Sequence, residues 1–424
     1  MTHSIHSCWG GWLRLCLFSL SCLALPSLPV ADAEEAPVVE DETEFVLQPA
    51  PVAPAPSPPA TPRPEATRTA RRSSRSDYVR AEKLPNMFGD SLGLTVQLGF
   101  AIDNSGLPTT NRPPVIDVPL GVGRNFKIGE NNKPIPMDRV AFTYNGFQNA
   151  LHSSFVPPGQ PAPITRDGNV ERYTLAGEKT YWDGLGSIEI RIPLVAAQVA
   201  PGGPFANLES GNFGDLSLFL KHLFYEDDTT AMAFGVGIGL PTSPDVRGSF
   251  GTPPTSTFVL HTDAVHLMPY VGLLSAPNED WFVQAFLQFD FAASGNRLDS
   301  SSPFLPAGVL TEQHLLAFDL SLGRWLINDL SGPYLEGIAG ILELHYTTTL
   351  QDADIVTSPV PNAIGGGMMG NLANRVDLLN LTGGLHFQLT PLANLRVGCV
   401  VPLRQPVSDR QFDAEVQVSF NRFF

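Results

Sequence analysis

The chain has 424 residues, a net charge of −16 from 26 Lys and Arg against 42 Asp and Glu, and a mean hydropathy of +0.03. That acidic balance excludes a nucleic-acid binder, because phosphate contact needs a basic footprint. No apolar run after the first thirty residues approaches the roughly 20 residues a helix needs to cross a bilayer, so a helical membrane protein is excluded too. A barrel strand crosses with about 9–11 residues of which alternate ones are apolar, and such a chain averages to near-neutral hydropathy.

Residues 1–33 read as a cleaved secretory signal. Trp12 to Leu25 is its apolar stretch, and Ala31-Asp32-Ala33 supplies small residues for cleavage before Glu34. Three of the four cysteines (Cys8, Cys16, Cys22) lie in this segment, leaving Cys399 alone and excluding a disulfide-built domain. Residues 34–83 read as a disordered Pro/Ala-rich linker, acidic first and then basic at Arg68, Arg71, Arg72, Arg75 and Arg80. Those arginines fit a solvated tether or a contact with an anionic wall polymer or lipid headgroup. In 84–136, Leu92, Leu94, Val96, Leu98 and Phe100 alternate with small or polar residues, which predicts a strand. It would be a thirteenth, so 84–136 is placed outside the barrel wall, as a lumen plug or a strand on the periplasmic rim.

From 137 to 424 the sequence alternates apolar with polar or small residues in twelve segments: 137–147, 171–182, 185–194, 213–225, 230–241, 263–274, 280–293, 313–326, 331–347, 375–390, 393–403 and 411–424. Successive side chains of a strand point to opposite faces, so this rhythm means one greasy face and one wet or crowded face. The connections test it independently. Every second one is tight, as at Asp183-Gly184 and Pro391-Leu392; the others, 148–170, 195–212, 242–262, 294–312 and 348–374, are long, with only 404–410 short. Short periplasmic turns alternating with longer external loops are expected of an outer-membrane barrel and unexplained in a sandwich. The predicted fold is therefore all-β, a single transmembrane antiparallel β-barrel of about 12 strands behind a disordered linker. Tyr181, Trp182, Phe224, Tyr225, Trp281, Trp325 and Tyr334 all fall near the short turns, predicting an aromatic girdle at the periplasmic interface.

Two stretches and the C-terminus carry a resemblance. Gly214-Asp215-Leu216 through Lys221, then Gly235–Gly239 and Leu240-Pro241-Thr242, resembles the outer-membrane porin family of the phenol meta-degradation pathway type, although Ser243 stands where that family has glycine. Glu130 to Pro136, with Asp138-Arg139 and Tyr144-Asn145, resembles a segment of other exported barrels. Val416, Val418, Phe420 and Phe424 resemble the terminal strand that the barrel-assembly machinery recognises, with Arg422 interrupting the apolar face. The resemblance spans 125–424 and implies a channel in the outer membrane.

No enzyme motif accompanies the pattern, and no cofactor or metal is expected. His261, Asp263 and His266 are close in sequence, but alternation sends His266 to the other face. His152-Ser153-Ser154 diverge in the same way, and no Gly-x-Ser-x-Gly elbow accompanies them. Gly365-Gly366-Gly367 precedes no helix. The predicted lumen-lining groups are Arg139, Glu189, Arg191, Asp215, Lys221, Gln284, Gln288, Asp290, Asp319, His386, Gln388, Arg396, Glu415 and Gln417. They fit either a network that fills a narrow barrel or a polar path for a small-molecule solute. The first reading of function is a passive channel, or porin, in the cell outer membrane; the alternative is a structural or binding protein with a filled barrel.

Overall fold

The structure, a computed structural model, describes residues 84–90, 93, 96–100, 115–118, 126–155, 164–197, 207–250, 256–302, 305–328, 334–358, 367–404 and 409–424. The signal (1–33), the linker (34–83), Leu92, Leu94, Gly365 and Gly366 lie outside the described residues.

Twelve wall strands follow one another: β1 Arg139–Phe155, β2 Ile164–Tyr181, β3 Gly186–Ala197, β4 Leu216–Glu226, β5 Thr230–Leu240, β6 His266–Ser275, β7 Trp281–Ala292, β8 Leu315–Asn328, β9 Gly337–Thr349, β10 Asp377–Thr390, β11 Ala393–Pro402 and β12 Ala414–Phe423. Each pairs antiparallel with its chain neighbours, and β12 returns to β1 with Val418 opposite Tyr144 and Phe420 opposite Phe142. The ring is closed. This is the all-β, twelve-stranded antiparallel barrel that the alternation predicts, and closure leaves no unpaired edge in the wall.

The long connections depart from expectation. The stretch 148–170, read as a loop, is mostly strand: Leu151 sits opposite Gly168 and Ser154 opposite Thr165, beyond a bulge between Phe147 and Leu151. Its side chains include Gln148, Asn149, His152, Ser153 and Ser154, so no greasy face marks it. A strand that has left the bilayer needs none. The connections between β3 and β4, β5 and β6, and β7 and β8 also hold strands. Asn207–Glu209, Val246–Phe250, Ser256–Leu260, Asn296–Ser300 and Gly308–Leu310 pair into a separate five-stranded sheet at the long-loop end.

Alternation sorts the wall faces. Val140, Leu175, Ile190, Phe234, Val271, Phe318, Leu342 and Phe420 are exposed around the outside, an apolar band, while most of their chain neighbours are buried. The glycines of β5 have a packing reason. A Cβ on Gly235 would lie 2.0 Å from the Leu220 carbonyl oxygen and 2.3 Å from the Tyr270 hydroxyl, and one on Gly237 would lie 2.5 Å from the Phe219 ring. Glycine there admits two inward rings, and Tyr270 donates its hydroxyl to the Leu220 carbonyl at 2.9 Å. Val236, between them, faces outward. Val236→Arg is expected to cost about 2–4 kcal/mol near the bilayer midplane, read as a lower urea midpoint of protein refolded in vesicles. An unchanged midpoint would mean that β5 is assigned to the wrong face.

At the short-turn end, the Tyr225 hydroxyl and the backbone amides of Thr229 and Thr230 hold the Asp227 carboxyl down at about 2, closing the turn between β4 and β5. Trp182, Phe224, Tyr225, Trp281 and Tyr334 are exposed there, and Tyr181 packs edge-on against Trp182 with ring centroids 4.8 Å apart. Trp325 is a correction. It is only 9% exposed and turns inward, 6.5 Å from the Phe282 ring and 5.6 Å from His386. Strand parity decides this: Leu326, its neighbour, takes the outer position.

Candidate functional site: the filled lumen

Residues 84–90 and 126–138 run through the barrel interior. Leu84 packs against the cluster of Ile135, Leu223 and Leu274 near the short turns. Further on, the Gly93 carbonyl accepts a hydrogen bond from Gln411, just ahead of β12. Val96–Phe100 and Val115–Val118 then pair with each other beyond the wall, and Val115 and Ile116 pair with the extension of β1. Leu98 and Val118 enter one apolar cluster with Val246, Phe258, Leu260 and Leu298 of the loop sheet. The chain returns through Phe126 to Arg139. The two lumen limbs bond to one another, Met87 N to Asn132 O at 2.8 Å and Asn131 N to Phe88 O at 3.4 Å. Gly89 allows their close approach: its φ is +82°, and a Cβ would lie 2.8 Å from the Glu130 backbone.

Inward wall side chains grip the backbone of this segment, whose buried polar groups need partners. Gln284 donates to the Pro85 carbonyl at 2.8 Å. Gln288 accepts from Ile128 N at 2.6 Å and donates to Phe126 O at 3.1 Å. Gln417 donates to Gly89 O at 2.8 Å. Arg396 donates to the Asn86 and Met87 carbonyls at 2.6 Å each and lies over the Phe88 ring. Glu343 accepts from the Phe88 and Gly89 amides at 2.9 and 3.1 Å.

Charge is divided across the barrel. On one side Glu178 takes Arg139 Nε at 2.9 Å and Lys221 Nζ at 3.0 Å. Glu189 takes Arg139 and Arg191, and Asn132 of the lumen segment joins both Glu189 and Lys221. Arg172 pairs with Glu130 at 2.9 Å. On the other side Asp319 accepts from His345 at 2.8 Å and holds Lys127 at 3.3 Å, and Lys127 also pairs with Asp90. Asp90, Asp319 and His345 lie close enough to hold a metal ion, their ligand atoms all within 4.8 Å. The Lys127 ammonium already occupies that position.

The fourteen residues named from the sequence as lumen-lining are all buried. They do different things. Asp215 sits at the long-loop rim, where it accepts from Thr242 N at 2.9 Å and Ser243 N at 2.7 Å. This ties the Gly-Asp pair to Leu240-Pro241-Thr242, giving that paired motif a physical cause. Asp290 accepts from His266 at 2.6 Å, Glu415 from Asn145 at 2.7 Å, and His386 meets Gln388 at 3.1 Å. Arg172, Glu178, Glu343 and His345 were missed, although the same alternation marks them. Asp90, Lys127, Glu130 and Asn132 belong to 84–136, for which a lumen plug is one of the two expected places, but no alternation singles out these four residues.

His261 stands outside the lumen between Asp245 at 3.1 Å and Asp299 at 2.9 Å, apart from inward His266. His152 meets Asp167 at 2.8 Å, while Ser153 is buried on the opposite face. A cavity of about 30 Å³ remains beside Asp90 and Lys127, room for a water or two at ~10–15 Å³ each.

No family model and no curated protein matches the chain. Among solved structures, an outer-membrane channel from Pseudomonas putida F1 is 11% identical with a TM-score of 0.43, over 68% of this chain and 96% of its own. The translocator domain of the autotransporter NalP from Neisseria meningitidis is 12% identical with a TM-score of 0.42, over 68% and 89%. The NanC porin is 8% identical with a TM-score of 0.39, over 68% and 99%.

Proposed function

We propose that the protein is an outer-membrane channel for small solutes, held shut by its own N-terminal segment. The apolar outer band supports placement in a bilayer. Short turns would face the periplasm and long loops the outside, so the linker would leave Leu84 on the periplasmic side and be free to meet an anionic wall polymer. Gly214-Asp215 with Leu240-Pro241-Thr242 favours kinship with the porins of the phenol meta-degradation pathway type.

One observation carries the channel reading: between the apolar contacts that Met87, Phe88, Phe126, Ile128 and Ile135 make with the wall, the seam holds many buried polar and ionic groups. Several of its buried atoms, including Gln284 Oε1, Gln417 Oε1, Glu130 Oε1 and Arg172 Nε, have no protein hydrogen-bond partner. Water can satisfy such groups once the segment shifts, whereas an apolar seam would resist wetting. A second reading, a permanently filled barrel displaying its loops, is favoured by the cluster that joins Leu98 and Val118 to the loop sheet.

A crosslink separates them. A Cβ on Gly129 would lie 3.7 Å from the Asp319 Cβ, within the ~3.5–4.5 Å span of a disulfide. Gly129→Cys/Asp319→Cys, with Cys399→Ser, is expected to be silent in a planar bilayer when oxidised and to show conductance steps when reduced. Silence in the reduced, folded protein would leave the filled barrel as the function.

A further inference from the structure

The buried cations of the wall are answered in different ways. Arg139, Arg191 and Lys221 each pair with a wall carboxylate, Glu178 or Glu189. Arg172, fully enclosed on β2, has one ion partner among the described residues, and the lumen segment supplies it: Glu130 Oε2 lies 2.9 Å from Nη2. That contact has a single point. Arg172 Nε and Nη1 and Glu130 Oε1 are buried without hydrogen-bond partners, although a guanidinium and a carboxylate can join through two parallel bonds. Asn145 of β1 stands opposite Arg172 in the register, and Gln417 of β12 stands opposite Asn145. Both donate to Glu415 Oε1, at 2.7 and 2.8 Å. Their acceptor atoms, Asn145 Oδ1 and Gln417 Oε1, are buried and unpartnered, and so is Glu415 Oε2. One patch of wall thus sets two spare guanidinium donors beside three acceptors that each need a donor.

We propose that Arg172, with Asn145, Glu415 and Gln417, forms a recognition site for a small hydroxy acid, and that Glu130 is the protein's own occupant of its carboxylate position. The inference rests on the channel reading above and names its solute class. A free carboxylate can take the guanidinium fork that Glu130, tethered through the segment backbone, meets with one atom. The solute's hydroxyl then donates to one of the three waiting acceptors, which an acid with a bare hydrocarbon tail would leave orphaned. Glu415 sharpens the choice, because its carboxylate repels a second acid group and accepts a hydroxyl. Phe147 of the wall covers the guanidinium from 5.5 Å. Phe126 of the segment, whose ring lies 4.8 Å from the same guanidinium, also lines the small cavity, which brings that space to within one side chain of the site. A hydroxy acid at Arg172 displaces Glu130, so the segment loses its ion pair to β2 as the solute arrives.

The test uses the refolded full-length chain with sodium glycolate as probe, and sodium acetate, ethylene glycol and n-propylammonium chloride as controls. Glu130→Ala removes the built-in carboxylate and leaves room of its size beside Arg172. Calorimetric titration of this variant should give glycolate binding at least about tenfold tighter than wild type, because the competitor is gone. Acetate, which lacks the hydroxyl, should bind the same variant about tenfold more weakly than glycolate. Glycolate should also raise the urea midpoint of Glu130→Ala, and adding Arg172→Gln should abolish that rise. Glu130→Gln, which keeps the shape and removes the charge, is the second variant should the first fail to fold, and it too should bind glycolate more tightly than wild type. In bilayers, glycolate on the long-loop side should raise the open probability of the wild type, while ethylene glycol and propylammonium should not. Acetate bound as tightly as glycolate, or a rise in midpoint that survives Arg172→Gln, overturns the proposal. Calorimetry needs no conduction. Binding with electrical silence would therefore sink the channel reading alone, and conduction without binding would sink this site alone.

Discussion

Glu178→Ala is expected to destabilise the folded barrel by about 3–5 kcal/mol, the usual result of stripping one partner from a buried ionic group. The Glu178 carboxylate is fully enclosed and serves Arg139 Nε at 2.9 Å, Lys221 Nζ at 3.0 Å, the Ser187 hydroxyl at 2.6 Å and Met137 N at 3.2 Å. Truncation strips Lys221 of its paired carboxylate and leaves Arg139 with Glu189 alone, both buried away from bulk water. Both also hold the lumen segment, Arg139 at the Asn131 carbonyl and Lys221 at the Lys133 carbonyl, so the loss extends beyond one pair. Glu178→Gln keeps the shape and some hydrogen bonds and should lose less. Urea unfolding in vesicles measures both. A midpoint for Glu178→Ala equal to that of the wild type would mean that this network contributes no stability.

Removal of β12 is expected to abolish membrane assembly altogether. Its ladder runs from Ala414 opposite Gln148 to Phe423 opposite Arg139 on one side, and from Val400 opposite Glu415 to Ala393 opposite Arg422 on the other. Without it, β1 and β11 each present an open edge to hydrocarbon, where every unsatisfied backbone group costs several kcal/mol. Val416, Val418 and Phe420 take outward positions of this strand, and Phe424, exposed just past its end, still bonds the Asp138 carbonyl through its N at 3.1 Å. This arrangement would also display them to the assembly machinery. Fractionation should find the truncated chain periplasmic and degraded, and deletion of Phe424 alone should reduce insertion. Deletion of 34–83 should insert normally. A heat-modifiable, membrane-borne protein lacking β12 would contradict the closure just described.

The sequence by itself determined the wall: its strand count, the two faces of each strand, and the parity of turns and loops. Each of these is written locally, because a bilayer demands an apolar residue at every second position and the demand repeats in each strand. Ile188, Ile190 and Ile192 therefore reveal their inward neighbours Glu189 and Arg191 without any knowledge of the fold. Trp325 shows the limit of reading by composition. Its ring type suggested an interface, yet its parity with Asp319 and Ser321 put it inside. Outside the bilayer that demand ends, so the extension of β1 past Phe147 and the sheet of the long loops left no periodic trace. Only tertiary structure decided what fills the barrel. Lys127 and Asp319 are far apart in the chain, as are Glu343 and Gly89, and no local rule links them. They meet because a closed ring of side chains turned away from lipid buries charge, and buried charge needs partners wherever the chain can bring them.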